Sequence, residues 1–223
     1  MIAPPVAVWL HYLMHPTIRK LEHRNAKSKY PRAENLALHA LEKIYRGTYN
    51  RFRKALANLP HELPDQEELK TLAEPFYNFQ LRGGEGHMLI GKALHSYHHK
   101  TAHMICELSP YSCMPNTMSI GSMANVIGKY PDLLYAPIEV KGDAEVHALS
   151  RCQMILTEAK KRAHAEFEGV MEKTGLTEKK IRAYEDKHPE VRKATYQVPH
   201  RAYAGAAANY VMHLAYDKGL ARA

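Results

Sequence analysis

The sequence predicts a small α/β protein, a parallel sheet flanked by helices, with a mostly helical N-terminal segment. Three observations carry that expectation. Two short apolar runs, Ala102–Leu108 and Leu133–Val140, have the length of strands. Met118–Lys129 between them reads as a helix, and a long helix follows the second run. Strand–helix–strand–helix over 102–171 is the order of a parallel βαβ unit, and the connection 109–132 is long enough for a right-handed crossover helix.

Taken in order, residues 1–31 are basic and weakly patterned, broken by Pro4, Pro5 and Pro16. They are expected to be weakly structured, with room for a short helix around Ala7–Met14 and a polar connector over His23–Pro31. From Arg32 onward Leu36, Leu38, Leu41, Ile44, Tyr45, Phe52, Leu56 and Leu59 recur at helical spacing. That predicts an apolar stripe, stopped at Pro60, with Gly47 as the point of interruption. Pro60–Pro64 is a rigid linker, after which Asp65 is a candidate N-cap with Glu68 as its capping-box partner. This helix ends before Pro75. Arg82-Gly83-Gly84-Glu85-Gly86 is a loop, and a helix is expected over His87–His98.

Pro137 within the second apolar run argues for an edge strand or a strand end. Gly142-Asp143 is a turn. The long helix after it has an apolar stripe of Val146, Leu149, Cys152, Ile155, Leu156, Ala159, Ala163, Phe167 and Val170, and Gly175 is its C-cap. Thr177 caps a short helix to Lys187, Pro189 and Pro199 mark an irregular stretch, and Gly205–Tyr216 reads as a terminal helix.

Bulk properties narrow the class. The 223 residues suffice for one large or two small domains, and 45% hydrophobic with 24% charged residues is ordinary globular composition. No apolar run approaches the roughly 18 to 20 residues of a membrane span. Met1–Leu13 is apolar but lacks a basic n-region and a cleavage site, so it is not read as a signal peptide. The cysteines at 106, 113 and 152 form no CxxC and no even disulfide framework, which fits reduced thiols in a cytoplasm. A pI of about 9.3 and a charge of +8 suit an anionic partner, such as a coenzyme A thioester or an acidic protein. The basic residues are spread along the chain, which a solvated surface explains equally well. No aromatic-basic motif or zinc-finger spacing points to nucleic acid.

Chemistry concentrates at Ser109-Pro110-Tyr111-Ser112-Cys113-Met114-Pro115-Asn116-Thr117. Cys113 follows a strand and precedes a helix, where ligands collect in α/β sheets and where free N–H groups favour an anion or a thiolate. A metal or cluster ligand, a nucleophile and an inert structural thiol all remain open for it. A nucleophile needs a base beside it, and no histidine stands at a diagnostic offset. A cluster needs more ligands, and Cys106 and Cys152 read as core residues. Gly84-Glu85-Gly86 before a helix suits an anion or a plain tight loop, but neither a Walker A nor a dinucleotide fingerprint is present. Glu85 is a candidate acid, base or helix cap. His95, His98 and His99 share a helical face that reads as solvated rather than metal-binding. Met114, Met118 and Met123 read as core filler.

Several segments together resemble a known family. Arg82-Gly83-Gly84-Glu85-Gly86, Gly91-Lys92 and Pro110-Tyr111-Ser112-Cys113-Met114-Pro115-Asn116 are similar to the benzoyl-CoA reductase / 2-hydroxyacyl-CoA dehydratase family. So are Asp143-Ala144-Glu145-Val146 and Arg151-Cys152-Gln153-Met154-Ile155-Leu156. The tail, Thr174-Gly175-Leu176-Thr177 through His188-Pro189-Glu190 to Pro199-His200 and Ala206-Ala207-Ala208-Asn209, resembles the last portion of the large CoA-substrate-specific activases of the 2-hydroxyglutaryl-CoA dehydratase type. The resemblance runs from about residue 32. It implies a Rossmann-like domain over 32–223, with a helical part 32–99, a βαβ core 100–171 and a helical tail 172–223.

The resemblance further implies anaerobic, ATP-driven electron transfer to CoA thioesters, with ATP entering only through a partner activase. Cys113 matches a family position that ligates a 4Fe–4S cluster, and Gly84 and Gly86 belong to the same cofactor-binding region. The other cysteine ligands come from a domain this sequence does not contain. Cys113 is therefore expected as one corner of a shared site, completed by another chain or domain of a dehydratase/activase assembly, with Glu85 as the candidate catalytic residue. A scaffold module without a cluster and a cysteine-dependent acyl transferase are the competing readings. Neither nucleic acid nor membrane is expected as a partner.

Overall fold

The computed structural model describes residues 6–23, 31–78, 81, 84–142 and 145–222. Arg82, Gly83, Asp143 and Ala144, which entered the expectations above, lie outside the described residues. Helix α1 spans Val6–His23, α2 Pro31–Ala55, α3 Gln66–Ala73 and α4 Gly86–His98. Strand β1 (Ile105–Pro110), α5 (Met114–Lys129) and β2 (Tyr135–Val140) form the βαβ unit, followed by α6 (Glu145–Thr174), α7 (Glu178–Lys187) and α8 (Ala206–Met212). The expected α/β architecture with a helical N-terminal part is what the chain adopts.

Much of the segment 1–31, expected to be weakly structured, is the 18-residue α1. Tertiary packing holds it: Val8 joins Leu63, Leu69 and Met88 in a small core, and His11 is fully buried. A helix with a weak intrinsic pattern depends on such contacts. Helix α2 runs through Gly47 unbroken, but only Leu38 and Tyr45 of the expected stripe within it turn inward. Asn35, Leu38, Glu42, Tyr45 and Tyr49 turn inward, while Leu36 and Ile44 are 73% and 65% exposed. Hydroxyl groups explain the choice: Tyr45 donates to the Ala7 carbonyl at 2.9 Å and Tyr49 to the His61 carbonyl at 2.7 Å. Amphipathic tyrosines can fill an interface and satisfy its backbone at once.

Asp65 caps α3 as expected, accepting the Glu67 N–H at 2.8 Å. Glu68 does not act as the expected reciprocal partner: its carboxylate reaches His99, 2.6 Å away. Helices α3 and α4 approach closely because Gly91 has no side chain. A Cβ there would lie 2.5 Å from the Leu69 carbonyl oxygen.

Strands β1 and β2 pair in parallel, Ile105 opposite Tyr135 through Pro110 opposite Val140. The ladder sets the strand ends. Ile105 donates to the Leu134 carbonyl at 2.9 Å and Tyr111 to the Val140 carbonyl at 3.1 Å, which moves β1 from the expected 102–108 to 105–110. Helix α5 starts at Met114 rather than Met118, because proline is tolerated in a first helical turn. Pro137 fits since, among the described residues, β2 has a single strand neighbour. On the inner face Met123, Val126, Ile90, Leu94, Ala93, Leu133 and Tyr135 form the main core. A further core joins the second half of α6 to α7 and α8 through Val170, Leu176, Ile181, Val211 and Leu214.

The outer face of the sheet is less covered. Cys106 is exposed and Cys152 half-buried, so neither is the core residue expected. Leu108 on β1 is 66% exposed and Val146 on α6 77%, although α6 packs along β2. Gly175 ends α6 as expected, with φ +64° and its N–H on the Met171 carbonyl at 3.0 Å. Thr177 caps α7 through the Lys180 N–H.

Candidate functional site

The turn after β1 places Cys113 at the N-cap of α5, beyond the C-terminal end of the parallel pair. Ser112, before it, takes a left-handed φ of +59° and donates its N–H to Glu139 of β2 at 3.2 Å. The Cys113 carbonyl accepts both the N–H and the hydroxyl of Thr117, each at 2.9 Å, while its side chain caps nothing. The thiol is thus left half-buried at the rim. Pro115, at the second position of α5, removes one of the first-turn N–H donors that the position would otherwise present.

The Gly84-Glu85-Gly86 segment meets this turn directly. A Cβ on Gly84 (φ +89°) would fall 2.5 Å from Pro115 Cγ. One on Gly86 would fall 2.9 Å from both the Pro115 carbonyl oxygen and the Tyr77 hydroxyl. Glycine is needed at Gly84 because the Pro115 ring lies against it and φ is positive, and at Gly86 because the Pro115 backbone and the Tyr77 ring close in. Glu85 occupies the N-cap of α4 but makes no capping hydrogen bond. Tyr12 of α1 donates to the Gly84 carbonyl at 3.4 Å. Burial, then the neighbouring Tyr77 and Glu85, push its phenol up to about 12. Tyr77 donates to the Met118 sulfur at 3.8 Å. Cys113, Gly84, Glu85 and Gly86, distant in sequence, therefore border one place in the fold.

Sequence reasoning missed the group that holds this arrangement. Glu107 of β1 is buried and accepts three neutral hydrogen bonds. Asn116 Nδ2 and the Ser119 hydroxyl donate to Oε1 at 2.9 and 2.5 Å, and the Tyr135 hydroxyl to Oε2 at 2.6 Å. Burial and that bond raise the Tyr135 phenol well above its ordinary range. The network ties the first turns of α5 to both strands, and so positions Cys113. An acidic residue inside an apolar strand run, with Asn116 and Ser119 following, was the signal available.

Other titratable groups sit nearby on α4. His87 is buried, and burial lowers it to about 4 despite a hydrogen bond to the Lys70 backbone. Burial lowers Lys92 to about 8. His95 and His99 converge on Glu68, with His99 Nε2 2.6 Å and His95 Nε2 3.7 Å from its carboxylate, so that face is partnered rather than merely solvated. His98 instead packs edge-on against Tyr130. Of the methionines near the turn, Met123 is core and Met118 packs against it, but Met114 is exposed.

The remaining cysteines do not gather at Cys113. Cys106 lies four residues before Pro110 on β1, about 13 Å along an extended strand. Its thiol neighbours Cys152, and burial first, then that neighbour, raise its pKa. A cavity of about 440 Å³, lined by Tyr97, His98, His103, Asp132, Arg162 and Glu166, opens at the other, N-terminal end of the strands. Glu166 there accepts the N–H groups of Ala204 and Gly205, at 3.1 and 2.7 Å, and braces the start of α8. Among the described residues no helix is long and apolar enough to cross a membrane.

Comparison with protein-family models, with curated proteins and with solved structures finds no match.

Proposed function

We propose that this chain is a component of an anaerobic acyl-CoA dehydratase or reductase, or of its activase system. Cys113 is the thiol it brings to an iron–sulfur site that another chain or domain completes. The reading rests on one observation: the Gly84–Gly86 segment packs against the Cys113–Pro115 turn at the C-terminal end of a parallel pair. Ligands of open α/β sheets bind at that end. It also draws on the motif resemblance of these same residues. Thiolate ligation would supply one-electron chemistry when a cluster is bound.

The cysteines of this chain do not complete the ligand set of a 4Fe–4S cluster alone. Cysteine is the usual ligand, and the other two thiols lie on the outer face, remote from Cys113. The chain's own contributions are then positional. Glu107 orients the turn, Gly84 and Gly86 permit the close approach of the two loops, and Glu85 stands as an acid or base toward a CoA thioester. The basic balance of the chain suits that anionic substrate, and a cytoplasmic setting suits its free thiols.

Iron and sulfide reconstitution under anaerobic conditions checks this, with the chain alone and with the co-purified partner. The expected result is no stable cluster on the chain alone, a cluster on the pair, and loss of most iron from the pair on Cys113→Ala. A pair carrying Cys113→Ala with unchanged iron content and electron paramagnetic resonance spectrum overturns the shared-ligand role. The scaffold reading then takes its place, favoured by the exposed apolar residues of α2 and α6.

A further inference from the structure

We propose a second, independent site: a divalent transition-metal site of the zinc class, built by His11, His15 and Glu42 where α1 crosses α2. His11 and His15 stand four residues apart on α1, so both project from one face. Their Nε2 atoms lie 2.8 and 3.1 Å from the same oxygen, Oε1 of Glu42. All three ligand atoms fall within 4.8 Å of one another. In a tetrahedral zinc site with bonds of about 2.0–2.1 Å, neighbouring ligand atoms are about 3.3 Å apart. Small side-chain adjustments therefore open the cluster enough to admit an ion.

The ligands are held for the task. His11 is completely buried, stacks on Tyr45 at 6.1 Å between ring centroids, and has Nδ1 3.3 Å from the Gln66 amide. In the ion-free site the Gln66 amide nitrogen faces Nδ1 and Nε2–H donates to Glu42. An ion takes the place of that Nε2 proton, and Gln66, turned oxygen-first, then accepts the proton moved to Nδ1, the usual support of a ligating histidine. Burial lowers the His11 imidazole. Burial opposes ionisation of Glu42, but hydrogen bonds from His11 and His15 outweigh it and hold the carboxyl below its ordinary value.

His39, one turn before Glu42, has Nδ1 3.8 Å from Oε2 and is half-exposed. It or water takes the fourth position, and that side also gives an ion its route in. Two imidazoles with one carboxylate favour zinc-like ions over magnesium or calcium, which prefer all-oxygen shells. The polar part of the inward face of α2 gains a reason here: turning Glu42 inward completes the set. A bound ion would staple α1 to α2 and, through Gln66, to α3. It would thereby hold Tyr12, one residue from His11, over Gly84.

The test uses Co²⁺ as a spectroscopic probe and Zn²⁺ as competitor, with the full chain carrying Glu68→Gln and His99→Ala to disable the Glu68–His95–His99 cluster. One Co²⁺ per chain is expected, with the strong visible bands of a four-coordinate site, displaced by one equivalent of Zn²⁺. Zn²⁺ should raise the melting temperature. Adding His15→Ala or Glu42→Gln should weaken binding at least about 100-fold, more than loss of an outer-shell partner costs. Gln66→Ala should weaken it about 10-fold, and far-ultraviolet circular dichroism confirms that each variant is folded. Absence of the bands, or bands that survive His15→Ala and Glu42→Gln together, overturns the proposal.

Discussion

Glu107 shows how much one side chain does in this fold. A buried carboxyl group is costly unless its lone pairs are filled, and here Asn116, Ser119 and Tyr135 fill them. Two donors come from the start of α5 and one from β2, so the acceptor on β1 is the common anchor of the βαβ unit. Glu107→Gln is nearly isosteric but presents an amide to groups that can only donate well in the present geometry. It should cost about 2 kcal/mol in urea unfolding. Tyr135→Phe, which leaves the carboxylate two donors, should cost about 1 kcal/mol. A Glu107→Gln stability equal to wild type would show that the network does not hold the turn.

At the level of elements, the contact between the Gly84–Gly86 segment and the α5 start depends on missing side chains. Gly84→Ala adds a methyl 2.5 Å from Pro115 Cγ and asks alanine to hold φ +89°. Overpacking of this kind costs about 1–3 kcal/mol, and the backbone conformation adds about 1–2 kcal/mol. The expected outcome is a clear drop in melting temperature with faster alkylation of Cys113, as the two loops part. Gly142→Ala, where nothing lies within 4 Å of the added Cβ, is the matched control and should leave both unchanged. Slower or unchanged alkylation in Gly84→Ala would mean that the segment does not shield the thiol.

Across the whole molecule, apolar surface is left over. Leu36, Ile44 and Phe52 of α2, Leu56 just after it, and Val146, Leu149 and Met154 of α6 are exposed, and among the described residues the sheet has two strands. Apolar stripes on this scale mark association surfaces, and a two-stranded sheet leaves both edges unpaired. The isolated chain should therefore self-associate with rising concentration in analytical ultracentrifugation. Leu36→Glu with Ile44→Glu should shift it toward monomer while changing unfolding stability by no more than about 0.5 kcal/mol per site, as expected of exposed positions. A wild-type chain monomeric at high concentration would show these faces to be inert.

Local features were legible in the sequence: the βαβ order, the Asp65, Thr177 and Gly175 caps, and the cysteine between a strand and a helix. Each depends on residues a few positions apart, where propensity and backbone geometry act directly. The closeness of Gly84–Gly86 to Cys113 was suggested only by resemblance, since periodicity carries no information about contacts across thirty residues of sequence. Other features were decided by tertiary structure alone. Helix α1 exists because α2 and α3 cover Val8 and His11. Helix α2 turns Glu42 and its tyrosines inward because they satisfy partners that leucines cannot. Glu107 is buried because three donors converge on it from α5 and β2. Composition and spacing settle which segments become helix or strand. Which face of each is buried depends on hydrogen-bond partners that only the folded chain brings together.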